Sequence, residues 1–245
     1  MIDAPLPSSE GVIGTGTSPG IPGVGHRVHG WSTDWGTRRY EEIHDLQQRL
    51  VMARADGRIP NLLLTGEHLP VVTLGRKTPK GFSPGEIPVV EVERGGEATY
   101  HGPGQLVAYP LVHLTEARRD LHRFQRDLEE IGIRACHDFG VEAGRVEGLT
   151  GVWAAGKKVM SLGIAVRRWV TWHGVALNVS ADLAPFRKFS PCGLDGAVMT
   201  SLAELVGRDP GMALVRESLV RHASDLLPGG PFEPRPFEEI AGLTP

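Results

Sequence analysis

Cysteine is scarce in this chain of 245 residues, and Cys136 and Cys192 are the only two. Two thiols cannot form a framework of several disulfides, and they cannot supply the four sulfur ligands of an all-cysteine zinc site. Each cysteine therefore needs its own explanation. A lone cysteine is more often an inert buried thiol than a nucleophile, and Cys136 is predicted to be such a core thiol.

Long apolar runs and an excess of one charge are also missing. No stretch approaches the ~20 apolar residues that span a bilayer, and the N-terminus lacks a charged segment followed by an apolar one. The net charge of −3 and the pI of about 6.4 give no field that would hold nucleic acid or an anionic membrane. We predict a cytoplasmic protein with neither partner.

Apolar residues make up 40% of the sequence, which is enough for one substantial core. The first residues are rich in Gly, Pro and Ser and include no aromatic side chain, as is typical of disordered chain. We therefore predict a disordered extension over residues 1–25 and a single domain over residues 26–245.

The spacing of apolar residues predicts three helices. One runs from Trp35 to about Ala55 with Thr33 or Asp34 as N-cap, a second covers residues 120–139, and the last begins at Asp209-Pro210. Short runs rich in β-branched residues predict strands at Leu62–Leu64, Val71–Leu74, Val89–Val92, Leu106–Tyr109 and Trp169–Val179, and a hairpin over residues 151–166 that turns at Gly156-Lys157.

Strands outnumber helices and do not alternate with them regularly. The fold class is therefore predicted as α+β, with a mixed β-sheet packed by helices. The tail from Pro228 to Pro236 is predicted to be irregular surface chain.

The segment from Arg94 to Gln105 places four glycines among polar side chains after a predicted strand. Such a loop lets backbone approach a ligand closely, although a turn needed only for chain reversal is the simpler alternative. It has neither a phosphate-loop Gly-Lys-Ser/Thr nor the GxGxxG dinucleotide pattern, so nucleotide binding is not supported. His101 and His173 lack the i, i+4 spacing of a helical metal motif.

Two further segments carry reactive side chains. Lys157 and Lys158 start a strand, so one lysine faces solvent while the other faces the sheet interior or a cleft. Two solvated surface lysines are the simpler alternative. Cys192 lies between Pro191 and Gly193, whose backbone restrictions keep the thiol off a regular element.

Taken in order, these segments resemble the octanoyltransferases of lipoate biosynthesis, also called lipoyl(octanoyl) transferases or lipoate-protein ligase B. The resemblance covers roughly residues 28–206. Its motifs are Arg94–Gly96, Thr99–Gln105, Lys158–Gly163, His173–Asn178 and Pro191–Gly193, with supporting matches at Glu67–Arg76 and Met199–Leu202. Glu97 stands where the family often has an uncharged or basic residue, which leaves open what that side chain does.

The resemblance implies a fold similar to the catalytic domains of lipoate and biotin protein ligases, with the acyl chain in an apolar tunnel. It implies that Cys192 accepts an octanoyl group from octanoyl-acyl carrier protein and passes it to a lysine of a lipoyl domain. The acceptors would be the lipoyl domains of 2-oxoacid dehydrogenase complexes and the glycine cleavage H protein. Lys158 would lower the pKa of the thiol and act as general acid and base. No cofactor is expected, neither ATP nor a metal.

The resemblance also implies a substrate-binding set, in which the loop from Arg94 to His101 closes over the substrate and backbone N–H groups lie along the acyl chain. The set is Arg94, Gly95, Gly96, Glu97, Ala98, Thr99, Tyr100, His101, Ser161, Leu162, Gly163, Gly174, Val175 and Ala176.

Three other functions are compatible with parts of this pattern. An ATP-dependent lipoate or biotin ligase would form an acyl-adenylate and would need no nucleophilic cysteine. A non-catalytic module would only bind an acyl group or a lipoyl domain. A papain-like protease would need His and Asn partners in another context. A requirement for ATP separates the first alternative from acyl transfer.

Overall fold

The structure is a computed structural model that describes residues 29–188 and 198–243. The predicted extension over residues 1–25 and the Pro191–Gly193 segment lie outside the described residues. The helices are α1 (Tyr40–Ala55), α2 (Leu121–Asp138), α3 (Leu202–Val206), α4 (Met212–Leu226) and α5 (Phe237–Ala241). Single 3₁₀ turns lie at Glu116–Arg118 and Ala184–Lys188.

The strands form one large and one small sheet. They are β1 (Gly30–Arg38), β2 (Leu62–His68), β3 (Val71–Leu74), β4 (Val89–Glu91), β5 (Thr99–His101), β6 (Gln105–Leu111), β7 (Ala143–Val146), β8 (Leu149–Ala154), β9 (Lys157–Arg167), β10 (Val170–Asn178) and β11 (Phe232–Pro234). The large sheet has the order β11-β1-β2-β6-β10-β9-β8-β7, and the small one has the order β4-β3-β5.

The large sheet is mixed. The pairs β1–β11 and β1–β2 are parallel, while every pair from β2 through β6, β10, β9 and β8 to β7 is antiparallel. The predicted α+β class with a mixed sheet is confirmed. No helix in the described part of the chain is long and apolar enough to cross a membrane.

Helices cover both faces of the large sheet. Side chains alternate between the two faces along a strand, so Leu63 of β2 joins the core beneath α2 and α4, whereas Leu62 and Leu64 join the core beneath α1 and α5. We refer to these as the α2–α4 face and the α1–α5 face. Both cores are apolar and continuous across the central strands.

The small sheet follows β2 directly and carries a loop back onto the large sheet. This loop joins β4 to β5, and its Gly95 N–H donates to the carbonyl of Ile164 in β9 at 3.0 Å. The segment predicted as one glycine-bearing loop therefore contains a short strand, β5. The contact brings the loop against the open edge of β9.

The predicted start of the first helix is wrong. Trp35 belongs to β1, and the N-cap of α1 is Arg39, which makes no side-chain capping bond. The register of β1 against β2 shifts between Asp34 and Thr37, and Gly36 has a φ of +67°. This bulge breaks the two-residue alternation near the end of β1. The predicted N-cap residues Thr33 and Asp34 are strand residues, and the apolar spacing that indicated the helix begins only at Tyr40.

The prediction for α2 is confirmed, because Asp120 is its N-cap and accepts the Arg123 N–H at 2.9 Å. The start of α4 is displaced, since Asp209 accepts the N–H of Gly211 in a turn that precedes the helix. The hairpin turns at Ala155-Gly156, one residue earlier than predicted, with both φ angles positive.

The prediction of irregular chain from Pro228 to Pro236 is wrong in part. β11 adds a three-residue parallel strand to the edge of β1. Three residues are too few for a periodic signal, so only pairing with β1 defines the strand.

Candidate active site

A cavity that is open to solvent lies between α1, the β4–β5 loop and the strands β5, β6, β9 and β10. Its floor is formed by small and apolar residues of β9 and β10. Polar and aromatic side chains form the opposite wall. The lining residues are Tyr40, Arg94, Thr99, His101, Tyr109, Ser161, Leu162, Gly163, His173, Gly174, Val175 and Ala176.

Nine residues of the predicted substrate-binding set line this cavity. They are Arg94, Thr99, His101, Ser161, Leu162, Gly163, Gly174, Val175 and Ala176. The other five, Gly95, Gly96, Glu97, Ala98 and Tyr100, lie outside the lining. Two of these, Ala98 and Tyr100, are buried in the core of the small sheet with Phe186. The sequence motif thus includes residues that line the cavity and residues that pack in the core of the small sheet behind it.

Arg94 holds the β4–β5 loop in shape. Its buried guanidinium donates to the carbonyl and hydroxyl of Thr73 at 2.8 and 2.9 Å, and to the carbonyls of Glu97 at 2.8 Å and Gly95 at 3.1 Å. Gly163 leaves room for this side chain, because a Cβ there would lie 3.0 Å from Arg94 Cδ. Arg94 therefore stabilises the conformation of the loop in addition to lining the cavity.

His101 is oriented by a chain of hydrogen bonds. The Gln105 amide donates to the Tyr100 carbonyl at 3.2 Å and to Asn178 Oδ1 at 2.9 Å, so its oxygen accepts from His101 Nδ1 at 2.7 Å. Asn178 in turn donates to the carbonyl of Thr200. Burial lowers the pKa of His101 to about 3. The ring is a neutral imidazole with its proton on Nδ1.

His68 and Tyr109 form a second buried pair, in which Tyr109 lines the cavity and His68 lies behind it, with Nε2 and the phenol oxygen 2.9 Å apart. Burial lowers the pKa of His68 to about 4. Burial also raises the pKa of Tyr40 and of Tyr109. All three groups are neutral near pH 7, so this part of the wall offers hydrogen bonds without charge.

His173 also lines the cavity and was not in the predicted set. Its φ is +54°, a rare conformation for histidine. This breaks the alternation of β10, so that His173 projects to the α1–α5 face beside Trp172, with ring centroids 4.4 Å apart. The Nδ1 atom lies 3.3 Å from the hydroxyl of Tyr40, and burial holds the pKa of the imidazole well below its ordinary value.

Lys158 and Lys157 face opposite sides of β9, as adjacent strand residues do. Lys157 is exposed, whereas Lys158 is 5% exposed with its Nζ 5.8 Å from the centroid of the Trp153 ring. Gly151 makes room for it, because a Cβ there would lie 2.7 Å from Lys158 Cε. Lys158 is not a lining residue, and lies three residues, or about 10 Å along the strand, from Ser161.

The chain returns to Lys158 after the segment that contains Cys192. Met199 forms a parallel bridge with Lys158, and the Thr200 N–H donates to the Lys158 carbonyl at 3.0 Å. Cys192 itself lies outside the described residues. The described cysteine, Cys136, is fully buried in α2, and burial raises the pKa of its thiol to about 12. It is a core thiol, as predicted.

Comparison with known proteins agrees with this arrangement. The family model of the lipoyl protein ligase A/B catalytic domain matches residues 39–224. An octanoyltransferase of Geobacter metallireducens is 45% identical over 86% of this chain and 98% of its own length. That of Syntrophotalea carbinolica is 47% identical over 79% and 92%.

The chain belongs to the octanoyltransferase family. As a member of this family it is an acyltransferase. A crystal structure of a lipoate-protein ligase A bound with ATP is similar in fold, with a TM-score of 0.68 over 87% of this chain and 92% of that one at 18% identity. A bipartite lipoate protein ligase of Thermoplasma acidophilum gives 0.66 over 87% and 91% at 17% identity. The predicted similarity to the ligase fold is confirmed.

Proposed function

We propose that this protein transfers an octanoyl group from octanoyl-acyl carrier protein to the ε-amine of a lysine on lipoyl domains, through a thioester on Cys192. The observation that best supports the proposal is the position of Lys158. It is a buried lysine next to Met199, only seven residues along the chain from Cys192.

In the first half-reaction the Cys192 thiolate attacks the carbonyl carbon of the donor thioester. A new S–C bond forms, the bond to the donor sulfur breaks, and the donor leaves as a thiolate that takes up a proton from the Lys158 ammonium, which becomes neutral. A free thiol with a pKa near 8.5 is only a few per cent ionised at pH 7. The Lys158 ammonium favours the thiolate because it supplies a nearby positive charge.

In the second half-reaction the acceptor amine attacks the thioester carbon. A C–N bond forms, the C–S bond to Cys192 breaks, and the amine loses a proton. Neutral Lys158 accepts this proton as general base. Exchange of one thioester for another is nearly isoenergetic and amide formation from a thioester is downhill, so neither step requires ATP.

The cavity provides a place for the acyl group. Leu162, Val175 and Ala176 form an apolar floor, and the regular register of β9 against β10 indicates a backbone donor. Because the carbonyl of Ile164 faces the outer edge of β9, Leu162, two residues earlier, presents its N–H to the same edge. The pairing of β8 with β9 ends at Met160, which leaves this edge accessible.

We assign the Leu162 N–H as a donor to the oxyanion of the tetrahedral intermediate. One such donor is typically worth ~2.7–4 kcal/mol of barrier. The β4–β5 loop, which Arg94 holds together, would cover the thioester and exclude water. Faster octanoate release from a loop variant such as Arg94→Met than from the unmodified protein would support this role, and unchanged hydrolysis would count against it.

An ATP-dependent ligase is the second candidate, because the fold matches that of lipoate-protein ligase A with a TM-score of 0.68. A ligase would activate free octanoate as an acyl-adenylate and would leave no acyl group on the enzyme. The presence of Cys192 and a buried Lys158 favours transfer. The two candidates differ in donor and in ATP requirement.

The test is intact-mass analysis after mixing the protein with octanoyl-acyl carrier protein without ATP, followed by addition of a lipoyl domain. Variants Cys192→Ser and Lys158→Met are compared with Lys157→Met, in which the exposed neighbour is changed instead. We expect one octanoyl adduct on the unmodified protein and on Lys157→Met, none on Cys192→Ser, and adduct formation slower by about 100-fold or more in Lys158→Met.

Octanoylation of the lipoyl domain by Cys192→Ser, or a strict requirement for ATP and free octanoate, would refute the covalent mechanism. Equal rates for the two lysine variants would refute the role of Lys158.

A further inference from the structure

His44, Glu93 and His173 bring three ligand atoms together beside the acyl cavity, within 4.8 Å of one another. They come from three separate elements, namely α1, the β4–β5 loop and β10. The transfer chemistry proposed above uses none of them. We propose that this cluster is a binding site for a divalent transition-metal ion of the zinc type.

Both imidazoles aim the same nitrogen at one carboxylate oxygen. His44 Nε2 lies 3.1 Å and His173 Nε2 lies 3.9 Å from Glu93 Oε2. Ligand atoms around a tetrahedral zinc ion, about 2.0–2.1 Å from the metal, are about 3.4 Å apart. The two nitrogen-to-oxygen distances are close to this value and the two nitrogens lie within 4.8 Å of each other, so side-chain movements of about an ångström complete the coordination geometry.

The other nitrogen of each ring is already supported. His44 Nδ1 lies 3.4 Å from the side-chain amide of Gln48, and His173 Nδ1 lies 3.3 Å from the hydroxyl of Tyr40. Metal-binding histidines typically have such a partner on the second nitrogen, which fixes the ring and leaves the first nitrogen for the ion. The Tyr40 hydroxyl can accept a proton from Nδ1 of His173. The Gln48 atom nearest His44 is the amide nitrogen, a donor, so the amide must turn and present its oxygen to Nδ1 when Nε2 of His44 binds an ion.

The Nε2 atom of His173 gives an independent indication. The side chain is 2% exposed, and this atom has no hydrogen-bond partner among the described residues. At 3.9 Å it is too far from Glu93 to share a proton directly. A buried imidazole lone pair that faces a carboxylate is unfavourable unless a cation lies between them, and the neutral imidazole is the form that binds metal.

The ligand set also indicates the class of ion. Two imidazoles and one carboxylate suit zinc and its neighbours, whereas calcium and magnesium prefer all-oxygen sites. Glu93 remains 44% exposed, which gives an entry path and an open coordination position. A bound ion would fasten the β4–β5 loop, whose next residue is Arg94, to both α1 and β10.

The test is calorimetric titration of the chelator-treated protein with zinc chloride, in a Cys192→Ser background that excludes thiolate binding. Cobalt(II) absorption spectra of the same protein report nitrogen and oxygen ligation directly. We compare His44→Gln and Glu93→Gln with His122→Gln, an exposed histidine of α2 outside the cluster. Neither His44 nor Glu93 lines the cavity, and each variant's fold is checked by its metal-free melting temperature.

We expect one saturable site per chain and a metal-dependent rise in melting temperature. Affinity should fall by at least about 100-fold in His44→Gln and Glu93→Gln, by about 10-fold in Gln48→Ala, and not at all in His122→Gln. Absence of saturable binding, or equal binding by the ligand variants and His122→Gln, would overturn the proposal. Because the test uses no acyl substrate, its failure is distinguishable from failure of the proposed function.

Discussion

The two faces of the large sheet are buried to a similar extent but differ in chemistry. The core of the α2–α4 face is apolar, and in it Cys136 acts as a small apolar side chain. Its buried carboxylate, Glu129, is paired with Arg126 and Arg145. The α1–α5 face contains a similar core, yet next to it His68, Tyr109 and His173 are buried together with Tyr40 from α1. Burial on the first face serves mainly stability. Burial on the second keeps several titratable groups neutral around a cavity, an arrangement typical of binding and catalytic sites.

The largest loss of stability should come from a substitution in the core of the α2–α4 face. Leu177→Ala removes a fully buried side chain of β10 from the α2–α4 core, and we expect a loss of about 2–5 kcal/mol in the free energy of unfolding. Urea denaturation measures this. The matched control is Leu214→Ala, a residue 59% exposed on α4, with an expected change within about 0.5 kcal/mol. Similar losses in both variants would show that the core is wrongly assigned.

The buried histidines around the cavity should make the free energy of unfolding depend steeply on pH. The folded-state pKa values of His68 and His101 are lowered to about 4 and about 3, while their unfolded value is 6.5. Below pH 6.5 the unfolded chain therefore binds protons that the folded chain does not. Stability is at its full value above pH 6.5, and each group lowers it by about 1.4 kcal/mol per pH unit as the pH falls towards its folded pKa.

The variant His68→Gln sharpens this test. Urea denaturation at several pH values between 6 and 4.5 should give a slope smaller by about 1.4 kcal/mol per pH unit than that of the unmodified protein. His122→Gln, at an exposed position, should leave the slope as it is. A slope in His68→Gln equal to that of the control would show that His68 is not buried as a neutral ring.

Gln105→Met tests the hydrogen-bond chain behind His101. It leaves His101 Nδ1, the Tyr100 carbonyl and Asn178 Oδ1 without the Gln105 amide, and we expect a loss of about 1–3 kcal/mol in stability. Gln125→Met on α2 is the control, with little expected change. The rate of acyl transfer should fall in Gln105→Met by more than the increase in unfolded protein explains. An unchanged rate would show that acyl transfer does not depend on the orientation of His101.

The smallest effect concerns Cys136. Because burial raises the pKa of this thiol to about 12, the native protein should react with a thiol reagent at Cys192 alone, and the urea-unfolded protein at both cysteines. Cys136→Ala should retain the native labelling stoichiometry and the transfer rate. Labelling of Cys136 in the native protein would show that the apolar face opens more readily than its packing indicates.

Long elements with a strong period were predictable from the sequence, and short or interrupted ones were not. Asp120 and the apolar stripe that follows it define α2 almost to the residue. Residues Trp35 to Arg38 were predicted as helix but belong to β1, which a bulge interrupts at Gly36, and β11 is too short to have a period. Local sequence reports only local geometry, whereas both of these strands are defined by distant partners.

The candidate site shows the same limit. Arg94 and His101 were predicted from their motif, but the motif could not separate the lining residues from Gly96 and Tyr100, which lie outside the lining. Tyr40, Tyr109 and His173 line the cavity but were not predicted to do so. Alternation along β10 alone would place His173 on the α2–α4 face. The positive φ of His173 turns its side chain to the α1–α5 face instead, where it contacts Tyr40 of α1.

The sequence by itself determined the fold class, the family and the chemical types available, since these follow from patterns of residues within short segments. It also required Lys157 and Lys158 to face opposite sides of a strand. The tertiary structure alone decided which lysine is buried, which imidazoles are neutral, and that His44, Glu93 and His173 converge on one point. Each of these depends on desolvation and distance between elements far apart in the chain, which only packing can set.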